Sequence, residues 1–270
     1  MGQKIKSEKI LKLKDSIDES LPTPLYHQIY VLIREKIFAG DYTDGSLIPT
    51  ENELEKMFGV SRITVKRALD ELAAEGLVSR QRGRGTTVTF KTPVSTSSAG
   101  MEGLLEDLLT IALETQVKIL EFDYISAPPQ ATDALGLEAN TTVQKAVRVR
   151  SKDKTPFSYA ITYVPEDMGR SYSYDELSNQ PLLALLERAG ANISHARQTI
   201  TATLADSKTG SALQVNIGSP LLKVTRIVYD SDNRAVEYIT IFYRPDVYQM
   251  KFGLARVKGE KSNFWATDRE

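Results

Sequence analysis

Cysteine is absent from the 270 residues, which excludes a disulfide framework and thiolate chemistry and leads us to expect a cytoplasmic protein. Only two histidines occur, His27 and His195, and neither has a triad partner or metal-ligand spacing nearby, so no catalytic set, metal site or cofactor is expected. No apolar run approaches the ~18 residues that a membrane helix needs. The N-terminal stretch MGQKIKSEKILKLKDSIDES lacks the apolar centre and cleavage site of a secretion signal, and residues 1–22 read as an arm. Net charge is lacking too. The 34 Lys plus Arg face 35 Asp plus Glu, leaving −1, so the chain as a whole carries no basic signature.

What is present is an ordinary globular composition, 41% apolar and 26% charged, in a chain long enough for two domains. Charge becomes informative once it is divided along the sequence. Residues 1–92 hold 15 basic and 13 acidic side chains, and the remainder 19 and 22. Within 61–92 the basic set is Arg62, Lys66, Arg67, Arg80, Arg82, Arg84 and Lys91, against only Asp70, Glu71 and Glu75. Positive charge is concentrated there.

In LYHQIYVLIREKIFAG, Leu25, Ile29, Leu32, Ile33 and Ile37 recur at helical spacing, and Gly40 supplies a stop. After an Asp44–Gly45 turn, Thr50 and Glu53 have capping-box spacing for a second helix to about Met57, ended by Gly59. Ser61 can cap a third helix, whose Val65, Ala68, Leu69 and Leu72 fall within about one third of the circumference. Arg62, Ile63, Lys66 and Arg67 project elsewhere. Three cations in its first two turns oppose the helix dipole at about 0.3–1 kcal/mol each when exposed, so stability alone would place them at the other end. A negatively charged partner accounts for them; a solvated basic face is the plain alternative.

The next segment weighs against that alternative. LVSRQ and TTVTF read as strands joined by Arg82, Gly83, Arg84 and Gly85, a tight hairpin with arginine at its tip. Such a tip suits phosphates or a minor groove, and the start of the second helix of a helix-turn-helix meets base edges. The motifs PLYHQI, LIPTENEL, GVSRITVKRAL and GRGTTV, in this order, resemble the winged helix-turn-helix of the GntR family of bacterial transcription regulators over residues 23–91, with the helix-turn-helix at about 50–69. The resemblance implies base or phosphate contacts from Arg62 and Thr64 and a wing lined by Gly83 and Gly85. The full expected DNA-contacting set is Asn52, Ser61, Arg62, Thr64, Lys66, Arg67, Arg82, Gly83, Arg84 and Gly85. Lys66 stands where the family often has arginine. Asn52 departs from a common arginine, which would remove a charged phosphate contact or alter operator preference.

KTPVSTSSAG, rich in Ser, Thr and small residues, reads as a linker, placed at 92–100. Beyond it MEGLLEDLLTIALE suggests a helix, VKILEFDYI a strand and PQATDALGL a short helix. VQKAVRVR, PFSYAITYV, ISHARQTITATL, PLLKVTRIVY and RAVEYITIFYR all have strand character. An antiparallel α+β domain over 101–250, with a tail at 251–270, is expected. This texture disfavours two GntR subfamilies, one with an all-helical ligand domain and the other with a longer aminotransferase-like domain carrying pyridoxal phosphate. It is similar instead to the UTRA domain of the HutC type, which shares its fold with chorismate lyase, most clearly at VRVR and VEYITIFYR.

In VQKAVRVR, Arg148 and Arg150 are two apart and leave the same strand face. Side by side they repel unless an anion separates them, and guanidinium groups match carboxylate or phosphate in two-pronged geometry. The alternative is a pair at a sheet edge neutralised by acids such as Glu237. Glu237 and Tyr243 are also evenly spaced and share a face. In related sugar-phosphate sensors two arginines, a glutamate and a tyrosine contact effector, so the resemblance assigns Arg148, Arg150, Glu237 and Tyr243 to a pocket. Those sensors often carry a serine and a tyrosine at the start of the helix that here begins NQPLLALLERAG. Pro181 and Leu183 take those places, favouring a smaller or more apolar carboxylate, such as an amino-acid derivative.

The expected function is a sequence-specific DNA-binding regulator, a repressor, that dimerises through its C-terminal domain. It would read an inverted-repeat operator in double-stranded DNA and respond to a small anionic effector, with no membrane association. Two other readings stay open: a lyase-like enzyme on the chorismate-lyase-type fold, and a DNA-binding dimer that senses no ligand.

Overall fold

A computed structural model describes residues 17–90, 115–250, 254–258 and 263–267. Most of the expected arm, the linker, the 101–114 helix and part of the tail lie outside these residues. The chain divides into two compact units, Met1–Thr92 and Pro93–Glu270.

The first unit contains helices α1 (Leu25–Phe38), α2 (Glu51–Phe58) and α3 (Arg62–Ala74), then strands β1 (Val78–Gln81) and β2 (Gly85–Val88). Thr50 starts α2 with a reciprocal cap: its hydroxyl accepts the Glu53 N–H, and the Glu53 carboxylate accepts the Thr50 N–H at 2.9 Å. Gly59 closes α2 at φ 70°, in the left-handed region that favours glycine. Ser61 then caps α3 by accepting the Thr64 N–H, a contact worth about 1 kcal/mol. Ile29, Ile33, Leu54, Val65, Leu69 and Leu72 meet in the core, which fixes α3 against α1 and α2. The wing is broader than the sequence suggests. Ser46 accepts the Val88 N–H, and the Gly45 and Ile48 N–H groups donate to Val88 and Thr86, adding a third extended segment to the hairpin. β2 ends at Val88, and Phe90 leaves the ladder to pack on Phe38.

The second unit is built on a six-stranded antiparallel sheet in the order β3-β4-β5-β8-β7-β6. Its elements are β3 (Gln116–Ser126), α4 (Pro129–Leu135), β4 (Thr142–Lys152), β5 (Thr155–Pro165), α5 (Glu166–Gly169), α6 (Tyr174–Asn179), α7 (Leu182–Arg188), β6 (Ile193–Leu204), α8 (Ser207–Leu213), β7 (Pro220–Asp230) and β8 (Ala235–Tyr243). A separate hairpin joins β9 (Leu254–Lys258) to β10 (Asn263–Thr267). Asp153 and Lys154 both take positive φ between β4 and β5, the pairing a two-residue turn needs to follow the strand twist. One sheet face packs under Leu177, Leu182, Leu185 and Leu186 of α6 and α7. The opposite face packs against α4 through Ala131 and Leu135 and against α8 through Leu213. Strand β6 forms an outer edge and is exposed along most of its length. No helix among the described residues is long and apolar enough to cross a membrane.

Candidate functional site

Each unit carries a candidate site. In the first, Asn52, Arg62, Lys66, Arg82, Gly83 and Gly85 line one open depression between α2, α3 and the wing. Ser61 and Thr64 are not among its lining residues; they stand at the start of α3, their hydroxyls 2.9 Å apart. Arg84 is exposed at the wing tip, where Gly83 (φ 78°) and Gly85 (φ 91°) turn the chain. A side chain at Gly85 would also press on Leu47, its Cβ 3.3 Å from Leu47 Cδ2. Ile63 is 80% exposed beside Arg62, an unusual position for so large an apolar group.

Arg67 is not part of this depression. Its Nη2 donates to the Tyr26 hydroxyl at 3.0 Å, and its guanidinium lies 3.7 Å from the centroid of the Tyr26 ring. It ties α3 back to α1. Arg80, absent from the expected set, does line the depression and hydrogen-bonds to both Glu51 and Asp70. Arg62, 71% exposed, donates through Nε to the other Glu51 oxygen at 3.0 Å. The sequence signal for Arg80 was its place in the basic run that ends at the wing; its acid partners come from two helices.

In the second unit Arg148, Arg150, Glu237 and Tyr243 line a single cavity of about 80 Å³. Register explains the convergence. Arg150 pairs with Ser158, which pairs with Tyr243, while Arg148 pairs with Ala160 and that with Ile241. The pleat turns these side chains towards α7, where Pro181, Leu182 and Leu183 line the cavity. β4 lies between β3 and β5, so the arginine pair is inside the sheet and not at its edge. The alternate residues Val147 and Val149 face the other way, into the cluster around Leu213.

Burial dominates the electrostatics here. Arg148 is only 7% exposed, and its Nε is buried without a hydrogen-bond partner. Burial lowers the Arg148 pKa, with Glu237 opposing that shift. Arg150 is brought down to about 10 by burial and then by Arg148 beside it; its Nη1 donates to the Thr115 hydroxyl at 3.1 Å. Burial holds the Glu237 carboxyl above its ordinary range, against the pull of Arg148 and Arg226. The Tyr243 phenol is likewise raised by burial, and its ring stacks on Tyr248 at 4.1 Å.

Arg226 is the member of this group that sequence reasoning missed. It is 3% exposed, lines the same cavity, and donates through Nε and Nη2 to Gln198 Oε1 at 2.8 and 2.5 Å. It occupies the buried face of β7 in alternation with Val224 and Val228, and an arginine at an apolar position of a strand was the available signal. His195 stacks on Tyr229 at 4.8 Å, a packing role. Among the described residues no three His, Cys, Asp or Glu side chains gather as a metal site.

Comparison with known proteins accounts for both units. Residues 25–88 match the bacterial regulatory proteins of the gntR family, and residues 112–249 match the UTRA domain. The chain is 25% identical over 233 residues to the HTH-type transcriptional repressor NagR of Bacillus subtilis (strain 168), covering 86% of this chain and 96% of NagR. It is 29% identical over 238 residues to the HTH-type transcriptional regulator Rv0792c of Mycobacterium tuberculosis, covering 86% and 87%. The crystal structure of YydK from Bacillus subtilis shares the fold at a TM-score of 0.52 and 20% identity, over 88% of this chain and 100% of that one. The ligand-binding domain of a Bordetella bronchiseptica chain assigned to the GntR-family regulators gives a TM-score of 0.50 at 29% identity, over 53% and 93%. These relatives are regulators, not enzymes, which decides against the lyase-like alternative. With a gntR-type winged helix-turn-helix followed by a UTRA domain, the chain belongs to the GntR family as a DNA-binding transcriptional regulator of the HutC-like architecture.

Proposed function

We propose that the cavity of the UTRA domain is an effector site for a small carboxylate, and that its occupancy controls binding of the N-terminal unit to an inverted-repeat operator. The observation that carries this reading is Arg148, buried beside a second arginine with its Nε unpartnered. A carboxylate between Arg148 and Arg150 would relieve their repulsion and accept charge-assisted hydrogen bonds. Pro181, Leu182 and Leu183 offer no hydroxyl to a sugar, so a small carboxylate with an apolar body suits the walls better than a sugar phosphate. Control of DNA binding then requires that the effector favour one state of the protein over another.

On the DNA side, Asn52, Arg62, Lys66, Arg82, Gly83 and Gly85 form the proposed contact surface, with Ser61 and Thr64 at the start of α3 and Arg84 on the backbone. The exposed Ile63 suits a thymine methyl in the major groove. Arg67 braces the helices. The long exposed edge of β6, with Ile200 and Leu204 uncovered, supports homodimerisation through this domain. The test uses a duplex selected by the protein from a random pool and fluorescence anisotropy in the presence of small carboxylates. Arg148→Ala/Arg150→Ala is expected to bind the duplex as wild type does while losing the carboxylate response. A response retained by the double variant removes the cavity as the effector site.

A further inference from the structure

We infer that Arg226 is a second anion-binding group of this cavity, and that the effector is a dianion with its negative groups at two ends, a short dicarboxylate in class. The inference rests on the reading of the cavity as the effector site and adds a specificity determinant to it.

Position comes first. Arg226 lies on β7, three strands from β4, so at ~4.8 Å per strand the backbones of Arg148 and Arg226 are separated by about 14 Å across the sheet. Arg226 pairs with Ile239, whereas Arg148 shares a row with Ala160, Ile241 and Val224, so the two are also offset by one pleat. Both line the same cavity, and Arg150 extends the arginine pair one step away from Arg226. The cavity therefore has cationic groups at two ends and apolar Ile239 and Ile241 between them.

Charge points the same way. The lining contains three guanidinium groups and one carboxylate, Glu237, an excess of two positive charges when all are ionised. Glu237 acts electrostatically on Arg148 from one side and is acted on by Arg226 from the other, so it cannot fully compensate both. Gln198 satisfies two N–H groups of Arg226 but brings no charge. A monocarboxylate at Arg148 and Arg150 leaves one positive charge buried. A phosphate monoester concentrates its charge at that same end and leaves Glu237 as the one counter-charge in the lining for Arg226. A dicarboxylate balances both ends.

The experiment is calorimetric titration of the full-length protein with succinate and glutarate, with butyrate and valerate of the same carbon number, and with inorganic phosphate. The dicarboxylates are expected to bind at least about tenfold tighter than their monocarboxylate counterparts, the lower range of what one charge-assisted hydrogen bond supplies. Arg226→Met is expected to abolish that preference while retaining monocarboxylate binding. Equal affinity for the two series in wild type overturns the inference without any variant, as does a preference that survives in folded Arg226→Met. If monocarboxylates or phosphate bind and dicarboxylates bind no better, the effector site stands and the second anionic subsite falls. If no probe binds, both fall.

Discussion

Replacing Arg148 by methionine separates two accounts of the same side chain by the sign of the result. Arg148 is 7% exposed with an unpartnered Nε, a defect that costs about 1–3 kcal/mol when a buried donor is left unsatisfied. If the arginine is kept for a ligand, the ligand-free protein carries that cost. Exchanging the arginine for an apolar group of similar length then relieves that cost and stabilises the fold by about 1–3 kcal/mol. Glu237 is not left alone by the change, because Arg226 still acts on it. If instead Arg148 and Glu237 form a self-sufficient structural pair, removing one partner costs about 3–5 kcal/mol. For a domain of this size each kcal/mol moves Tm by roughly 2–4 °C. The expected outcome is therefore a rise of at least a few degrees in the ligand-free Tm near neutral pH, followed by circular dichroism, together with loss of carboxylate-dependent stabilisation. A clear fall in Tm, with the variant still folded at low temperature, refutes the reasoning.

Two further outcomes follow from the arginines of α3. Arg62→Ala should weaken operator binding and reduce the slope of log affinity against log salt by about 0.9 for each phosphate that the side chain neutralises in the wild type. Arg67→Ala should leave that slope unchanged and lower stability by about 0.5–1 kcal/mol because Tyr26 no longer has a cation over its ring; a changed salt slope would return Arg67 to the DNA surface. Because burial raises the Glu237 carboxyl above its ordinary value of 4.5, its contribution to stability is full below that pH and is lost as pH rises through the folded-state value. Glu237→Gln should thus raise Tm in neutral solution and lose that advantage in acid. A gain that grows on acidification contradicts the assigned direction.

Much of the fold could be read from local pattern, because local chemistry determines it. The Thr50–Glu53 box, the Ser61 cap and the apolar stripe of α3 depend on residues within a few positions of one another. Alternation likewise put Arg148 with Arg150, and Glu237 with Tyr243, on shared faces. What alternation does not give is which strands become neighbours. Arg226 joins the cavity only because β8 inserts between β5 and β7, and its partner Gln198 lies 28 residues away on the edge strand. The same limit applies in the first unit, where Tyr26 captures Arg67 from 41 residues away. The three-part wing was missed because Gly45 to Ile48 has no strand pattern of its own and pairs through a few backbone bonds. Helices α5 and α6, at four and six residues, are too short to show a period, and α8, SKTGSAL, has too few large apolar residues to mark a face.

Glu51 touches both Arg62 and Arg80, and Asp70 also holds Arg80, so the proposed DNA-contact surface carries its own counter-charges. Any duplex must displace or outcompete those carboxylates before it gains from the arginines, whatever its sequence. Base contacts made by side chains other than Arg62 and Arg80 are not discounted in this way. The consequence is kinetic as much as thermodynamic: random DNA, bound chiefly through phosphates, should hold the protein only briefly. A regulator built this way would thereby spend less of its time on random DNA and more of it near the sites it reads by base contacts.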